Sequence, residues 1–252
     1  MNDKAELDIL VLTDADNTLW DTDSVFREAQ MGLLKAVKSL IPGPKVSNQL
    51  AFLRSYDQAI AKQHHSGLKY PPDLLVRALI LGLAGEKPSK AASKVVSNPS
   101  TVSFLNPTQI DTIVQDYFKS LDRVPTLRLG VLEGLNRLVE CGIKTIVVTE
   151  GDKHKIEKFI LHHKLQGIDQ IISAKKSAQL YRRLKKLAGP NTKTVMIGDQ
   201  LVSDIQFSQL AGVTAVHFAG GFNPSRYAGQ SNITADYSVV SFSDAINAAI
   251  NN

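Results

Sequence analysis

The sequence holds a single cysteine, Cys141, in 252 residues. That excludes a disulfide framework and any metal site built from several thiolates. Aromatic residues are scarce, at 6% with one tryptophan. No apolar run reaches the roughly 18 residues that a membrane-spanning helix needs, and the most apolar stretch, Leu74 to Ala84, is interrupted by Arg77. No membrane partner is therefore expected. Met1 to Asp8 mixes three acidic side chains with one lysine and lacks the basic-then-apolar order of a secretion signal, so a cytoplasmic location is expected. Ten prolines and sixteen glycines are too few for a collagen-like or low-complexity chain, and no fixed-period repeat is present. What is there is an ordinary globular balance, 43% hydrophobic and 21% charged with a net charge of +5, which excludes a largely disordered chain.

Six apolar segments read as strands: Asp8 to Thr13, Lys144 to Thr149, Gln170 to Ser173, Lys193 to Ile197, Val213 to Phe218 and Tyr237 to Val240. The first is apolar throughout, as expected of a strand buried on both faces. Helical spacing fills Lys153 to His163, about Lys176 to Ala188, Asp204 to Ala211 and about Asp244 to Ile250. Strand and helix alternating with short links predict an α/β core, a doubly wound parallel sheet of the Rossmann-like kind. Between Trp20 and about Val124 the pattern is helical only: Val25 to Leu40, Ser47 to His65, Asp73 to Leu83 and Thr108 to Leu121, broken by proline-rich turns. The expected organisation is a discontinuous core, 1–20 and 125–252, with an all-helical cap domain at 21–124 placed over the strand ends.

Basic residues cluster at Lys175, Lys176, Arg182, Arg183, Lys185 and Lys186, and at Lys153, Lys155 and Lys158. A single-stranded nucleic-acid groove would interleave aromatics, and only Tyr181 lies in the main cluster. These charges are read as a solvated helix face, and no nucleic-acid partner is expected.

Polar residues that a buried sheet does not need sit at three strand ends. They are Asp14-Ala-Asp16-Asn17-Thr18, Thr149-Glu-Gly151-Asp152 and Gly198-Asp199-Gln-Leu-Val-Ser-Asp204, with Lys175-Lys176 at the start of a helix. Parallel strands would bring them to one edge. Asp14, Asp16, Asp199 and Asp204 ionised total −4, one lysine leaves −3, and a phosphate monoester makes about −5. Such a cluster needs a cation or a protonated carboxyl. An oxygen-only donor set points to Mg²⁺. A protonated Asp16 would be a general acid, with another carboxylate free to attack.

Asp14-x-Asp16-x-Thr18, Thr149, Lys175 or Lys176, and Gly198-Asp199-x-x-x-x-Asp204 together resemble the four ordered motifs of the haloacid dehalogenase superfamily. The resemblance covers roughly residues 8–20 and 125–218. It implies Asp14 as nucleophile, forming an aspartyl-phosphate, and Asp16 as the acid and then the base. It implies Mg²⁺ held by the Asp14 side chain, the Asp16 main-chain carbonyl and Asp199, with Asp204 completing the acidic site. Thr149 and the backbone N–H groups at Asn17 and Gly151 would hold the phosphoryl oxygens, and the lysine would neutralise charge. Members acting on carbon–halogen bonds lack the second aspartate, since halide leaves without a proton, so Asp16 implies phosphoryl transfer.

Three positions depart from the family pattern. Asn17 stands where helical-cap relatives often have glycine, and asparagine tolerates the left-handed turn. Glu150 follows Thr149 and is expected to point away. The lysine lacks its usual following proline; counting six residues back from Tyr181 favours Lys175, and a link one residue shorter gives Lys176. Elsewhere, His64-His65 and His162-His163 are read as surface or structural pairs diverging around a helix. Cys141 is read as a small buried hydrophobe, and Trp20 and Phe26 as packing residues at the core–cap junction. Arg27, Arg54, His64 and Lys69 are cap residues that could set specificity. The expected activity is that of a Mg²⁺-dependent phosphatase acting on a small-molecule phosphate ester. A phosphomutase, or a catalytically silent basic binding protein, is the alternative, and the oligomeric state is left open.

Overall fold

The computed structural model describes residues 8–41, 43–101, 104–219 and 232–251. The apolar runs form the strands β1 (Ile9–Thr13), β2 (Lys144–Thr149), β3 (Gln170–Ser173), β4 (Lys193–Gly198), β5 (Thr214–Phe218) and β6 (Tyr237–Val239). They make one sheet, ordered β3-β2-β1-β4-β5-β6, with every pair parallel. The helices described are α1 (Thr22–Leu40), α2 (Gln49–Gln63), α3 (Pro72–Leu83), α4 (Pro88–Ser97), α5 (Pro107–Leu121), α6 (Val131–Glu140), α7 (Lys153–His162), α8 (Ala178–Ala188), α9 (Phe207–Gln209) and α10 (Phe242–Asn251). No helix among the described residues is long and apolar enough to cross a membrane.

The chain divides into two compact units, one from the described residues of 1–23 and 124–252, the other from 24–123. In the first, the two-residue period of the strands sends alternate side chains to opposite faces. Val11, Val147, Val195 and Ile197 pack on one side with Trp20, Leu135, Phe159 and Phe242. Leu10, Leu12, Val148 and Met196 pack on the other with Tyr181 and Leu184. Both faces are covered, which is why these strands read as unbroken apolar runs. Trp20 meets Phe159 edge-on at 5.3 Å.

In the second unit, α1 to α5 enclose a core that includes Leu34, Val37, Leu53, Ile60 and Leu79. Within it the Tyr70 hydroxyl donates to Asp57 Oδ1 at 2.5 Å. Helix α4 has no counterpart in the sequence reading. Its buried face is Ala91, Ala92 and Val95, too small to register as an apolar stripe.

Several local expectations are corrected. Cys141 is exposed, as the residue that ends α6 rather than one that packs under it. His64 ends α2, so its ring is off the helix and stacks on His65 at 4.3 Å instead of diverging from it. Two of the clustered basic residues bind carbonyls at the end of α9: Arg182 donates to Leu210 O and Lys185 to Gly212 O. The helix expected from Asp204 begins earlier and wider. Leu201–Gln206 is a π-helical turn, in which Asp204 and Ile205 both donate to Gln200 O, and α9 follows it.

Candidate active site

The central strands β2, β1 and β4 are neighbours, and Thr13 pairs with both Val147 and Ile197. Their carboxyl ends therefore lie together, at the edge where the connection out of β1 leads to β2 on one side while β4, entered from β3, flanks β1 on the other. Asp14, the residue after β1, is fixed by its own N–H donating to Ile197 O at 2.8 Å. Asn17 then turns the chain back with φ +60, and its Oδ1 accepts from the Asp23 N–H. This left-handed turn returns Thr18 beneath Asp14, and its hydroxyl reaches Asp14 Oδ2 at 3.4 Å.

Lys176, not Lys175, enters the cluster. Its Nζ donates to Asp14 Oδ1 at 2.5 Å and to Asp204 Oδ1 at 2.6 Å, and all three side chains are buried. Lys175 is exposed, so the preference for it is corrected. The register is set locally. The Glu150 carboxylate accepts the Lys176 main-chain N–H at 3.0 Å, and Ser177 caps α8 by accepting from Leu180 N. Glu150 is thus occupied by backbone, at the exposed surface.

Asp204 comes in from the π-helical turn against Gly198. A Cβ on Gly198 would lie 2.5 Å from Asp204 Cβ and Cγ, so the approach requires glycine. Oxygens of Asp14, Asp199 and Asp204 lie within 4.8 Å of one another. The Asp199 Oδ2 atom accepts from Gln200 Nε2, while its Oδ1 is buried with no hydrogen-bond donor.

Asp16 stands apart from those three. Its Oδ1 accepts from Trp20 Nε1 at 3.1 Å and from the Thr22 hydroxyl at 2.8 Å. Its Oδ2 faces Gly151, where a Cβ would lie 3.3 Å from it and 3.2 Å from Thr149 Oγ1. Thr149 Oγ1 accepts the Gly151 N–H at 2.9 Å, so that N–H is already engaged. Thr22 had no sequence signal. Gln200 had only its position between two motif aspartates.

Three buried carboxylates against one ammonium leave a net −2, and this sets the protonation energetics. Burial pushes the Asp14 carboxyl well above its ordinary range; Lys176 opposes this, while Asp204, Asp199 and Asp16 add to it. Burial, then Asp204, raises Asp199 to about 7, with Gln200 and Lys176 opposing. For Lys176 burial alone would lower the pKa, but Asp14 and Asp204 outweigh it and hold the ammonium well above its usual value. The site lacks positive charge. Its hard oxygen donors and the unpartnered Asp199 Oδ1 fit a divalent cation of the Mg²⁺ type held by Asp14, Asp199 and Asp204. Asp16 joins no such group through its side chain.

A model of the family described as haloacid dehalogenase-like hydrolase matches residues 10–212. No curated protein matches the sequence. Among solved structures the chain is similar to YfnB of Bacillus subtilis, a candidate HAD-hydrolase determined bound to magnesium. The identity is 18%, 97% of this chain and 99% of that one are covered, and the TM-score is 0.60. It is similar to a 2-haloacid dehalogenase from Pseudomonas syringae, with 18% identity, coverage of 96% and 98%, and a TM-score of 0.51. A candidate phosphoglycolate phosphatase from Lactobacillus delbrueckii matches at 15% identity, coverage of 98% and 99%, and a TM-score of 0.53. At these identities the likenesses speak for the fold alone.

Proposed function

The chain belongs to the haloacid dehalogenase-like hydrolases, and from that premise we propose that it is a Mg²⁺-dependent phosphatase acting on a small phosphate monoester through an aspartyl-phosphate. The observation that carries the phosphatase reading is the tether on Asp16. Trp20 and Thr22 hold its Oδ1 and leave Oδ2 facing Thr149 and Gly151. A displaced alkoxide needs a proton and a displaced halide does not. A carboxyl held by one oxygen, with the other left toward Thr149 and Gly151, suits the alkoxide.

In the first step an Asp14 carboxylate oxygen bonds to phosphorus as the bond to the leaving oxygen breaks, and Asp16 protonates that oxygen. In the second, Asp16 takes a proton from water as the water oxygen attacks phosphorus and the bond to Asp14 breaks. Two easier displacements replace one hard one. The Lys176 ammonium favours the anionic form of Asp14 and so opposes the burial that raises its pKa. Bound among Asp14, Asp199 and Asp204, Mg²⁺ would supply positive charge against the phosphoryl oxygens.

The test is release of phosphate from p-nitrophenyl phosphate with Mg²⁺ and with EDTA, in the wild type and in Asp14→Asn. Expected are metal-dependent turnover, loss of at least about 10³-fold in the variant, and a phosphoryl mass increment on Asp14 after acid quench. Intact metal binding without turnover on a panel of phosphate esters would refute the proposal in favour of a silent binding protein. Transfer between substrate positions without net phosphate release would replace it with a phosphomutase.

A further inference from the structure

Gln200 lies between Asp199 and Asp204 and contacts both carboxylates by different groups. Its side-chain Nε2 donates to Asp199 Oδ2 at 2.7 Å, and its main-chain N–H donates to Asp204 Oδ2 at 3.0 Å. Asp204's other oxygen is taken by Lys176. Asp199's main chain is held as well, since His217 Nε2 donates to its carbonyl at 3.2 Å. What remains is Asp199 Oδ1, buried and without a donor.

Resting on the metal reading above, we infer that Gln200 is a positioning residue: it restricts Asp199 to one cation-facing oxygen and so makes the site favour Mg²⁺ over Ca²⁺. The physical basis is the coordination each ion accepts. Mg²⁺ takes about six ligands in a tight octahedron, whereas Ca²⁺ takes up to about eight and accepts both oxygens of one carboxylate. Binding the ion through Oδ1 alone leaves the Gln200 amide bond to Oδ2 intact, whereas turning both Asp199 oxygens to one ion would bend or break it. Glutamine suits the position. An aliphatic side chain offers no donor, a carboxylate adds like charge, and asparagine falls one methylene short of a contact now at 2.7 Å.

The experiment is calorimetric titration of the full-length protein with Mg²⁺ and separately with Ca²⁺, without substrate, in wild type, Gln200→Met and Gln200→Asn. Both variants should show a fall of about tenfold or more in the Mg²⁺-to-Ca²⁺ affinity ratio, in line with loss of a partner that orients a metal ligand. A merely structural role would weaken both ions alike and leave the ratio unmoved. The asparagine variant keeps an amide at the position and carries the test if the methionine variant does not fold. Wild-type binding of Mg²⁺ with an unchanged ratio in the variants overturns this inference and leaves the metal reading standing. A wild type that binds neither ion overturns both.

Discussion

Replacing Lys176 by methionine removes the ammonium that Asp14 and Asp204 share and leaves two buried carboxylates facing one another. Exposure of the three side chains is 4%, 6% and 0%, so solvent screens little of the effect. Breaking a buried ion pair by removing one partner costs about 3–5 kcal/mol. For a unit of this size that corresponds to a fall in melting temperature of roughly 6–20 °C. The net charge among the four groups goes from −2 to −3, so the variant should gain more than the wild type from added Mg²⁺. An ion at a hundredfold its dissociation constant returns about 2.7 kcal/mol. The assay is urea unfolding followed by the fluorescence of Trp20, the only tryptophan, which is fully buried in the same unit as the site. It is run above neutral pH, in EDTA and in Mg²⁺, with Lys175→Met as the exposed neighbour. That control should stay within about 0.5 kcal/mol of wild type. A Lys176→Met protein as stable in EDTA as the wild type, or a Lys175→Met protein equally damaged, would refute the placement of the ammonium.

Gly198→Ala should destabilise the first unit by about 1–3 kcal/mol, since its Cβ would press on Asp204 at 2.5 Å. It should also cut turnover by displacing Asp204 from Lys176, and wild-type kinetics together with wild-type unfolding in this variant would contradict the packing. In the helical unit, burial raises the Asp57 carboxyl against the Tyr70 hydrogen bond and Arg54. Because the folded pKa lies above the unfolded one, this group's stabilisation is complete below about pH 3.9 and is lost as pH rises through the folded value. Amide protection factors in α2 and α3, which remove the intrinsic pH dependence of exchange, should therefore fall across that window, and Asp57→Asn should flatten the dependence; an unchanged slope would remove Asp57 as its source.

The parts that were readable from sequence share a cause. Strands buried on both faces must be apolar throughout, so β1, β2 and β4 stand out, and the polar residues at their ends are conspicuous because a sheet interior has no use for them. Helix α4 escaped because alanine packs a helix as well as leucine does when the neighbour is close, but leaves a weak pattern. The π-helical turn escaped because its extra residue per turn follows from seating Asp204 against Gly198, a contact that no local periodicity encodes. Cys141 was misjudged because the last residue of a helix can face either way.

By itself the sequence determined the order of the strands and of most helices, the acidic character of the strand ends and the family. These follow from hydrophobic period and from residue types at set spacings, which are local properties. Only the tertiary structure decided which lysine serves the site. Lys176 and Asp14 are 162 residues apart, and the one-residue ambiguity was resolved by Glu150 accepting the Lys176 N–H and Ser177 capping α8. It likewise decided which oxygen of Asp199 and of Asp16 is engaged. That depends on Gln200, Thr22 and Trp20 reaching side chains whose free oxygens then define the site, and distance in space, rather than along the chain, sets those contacts.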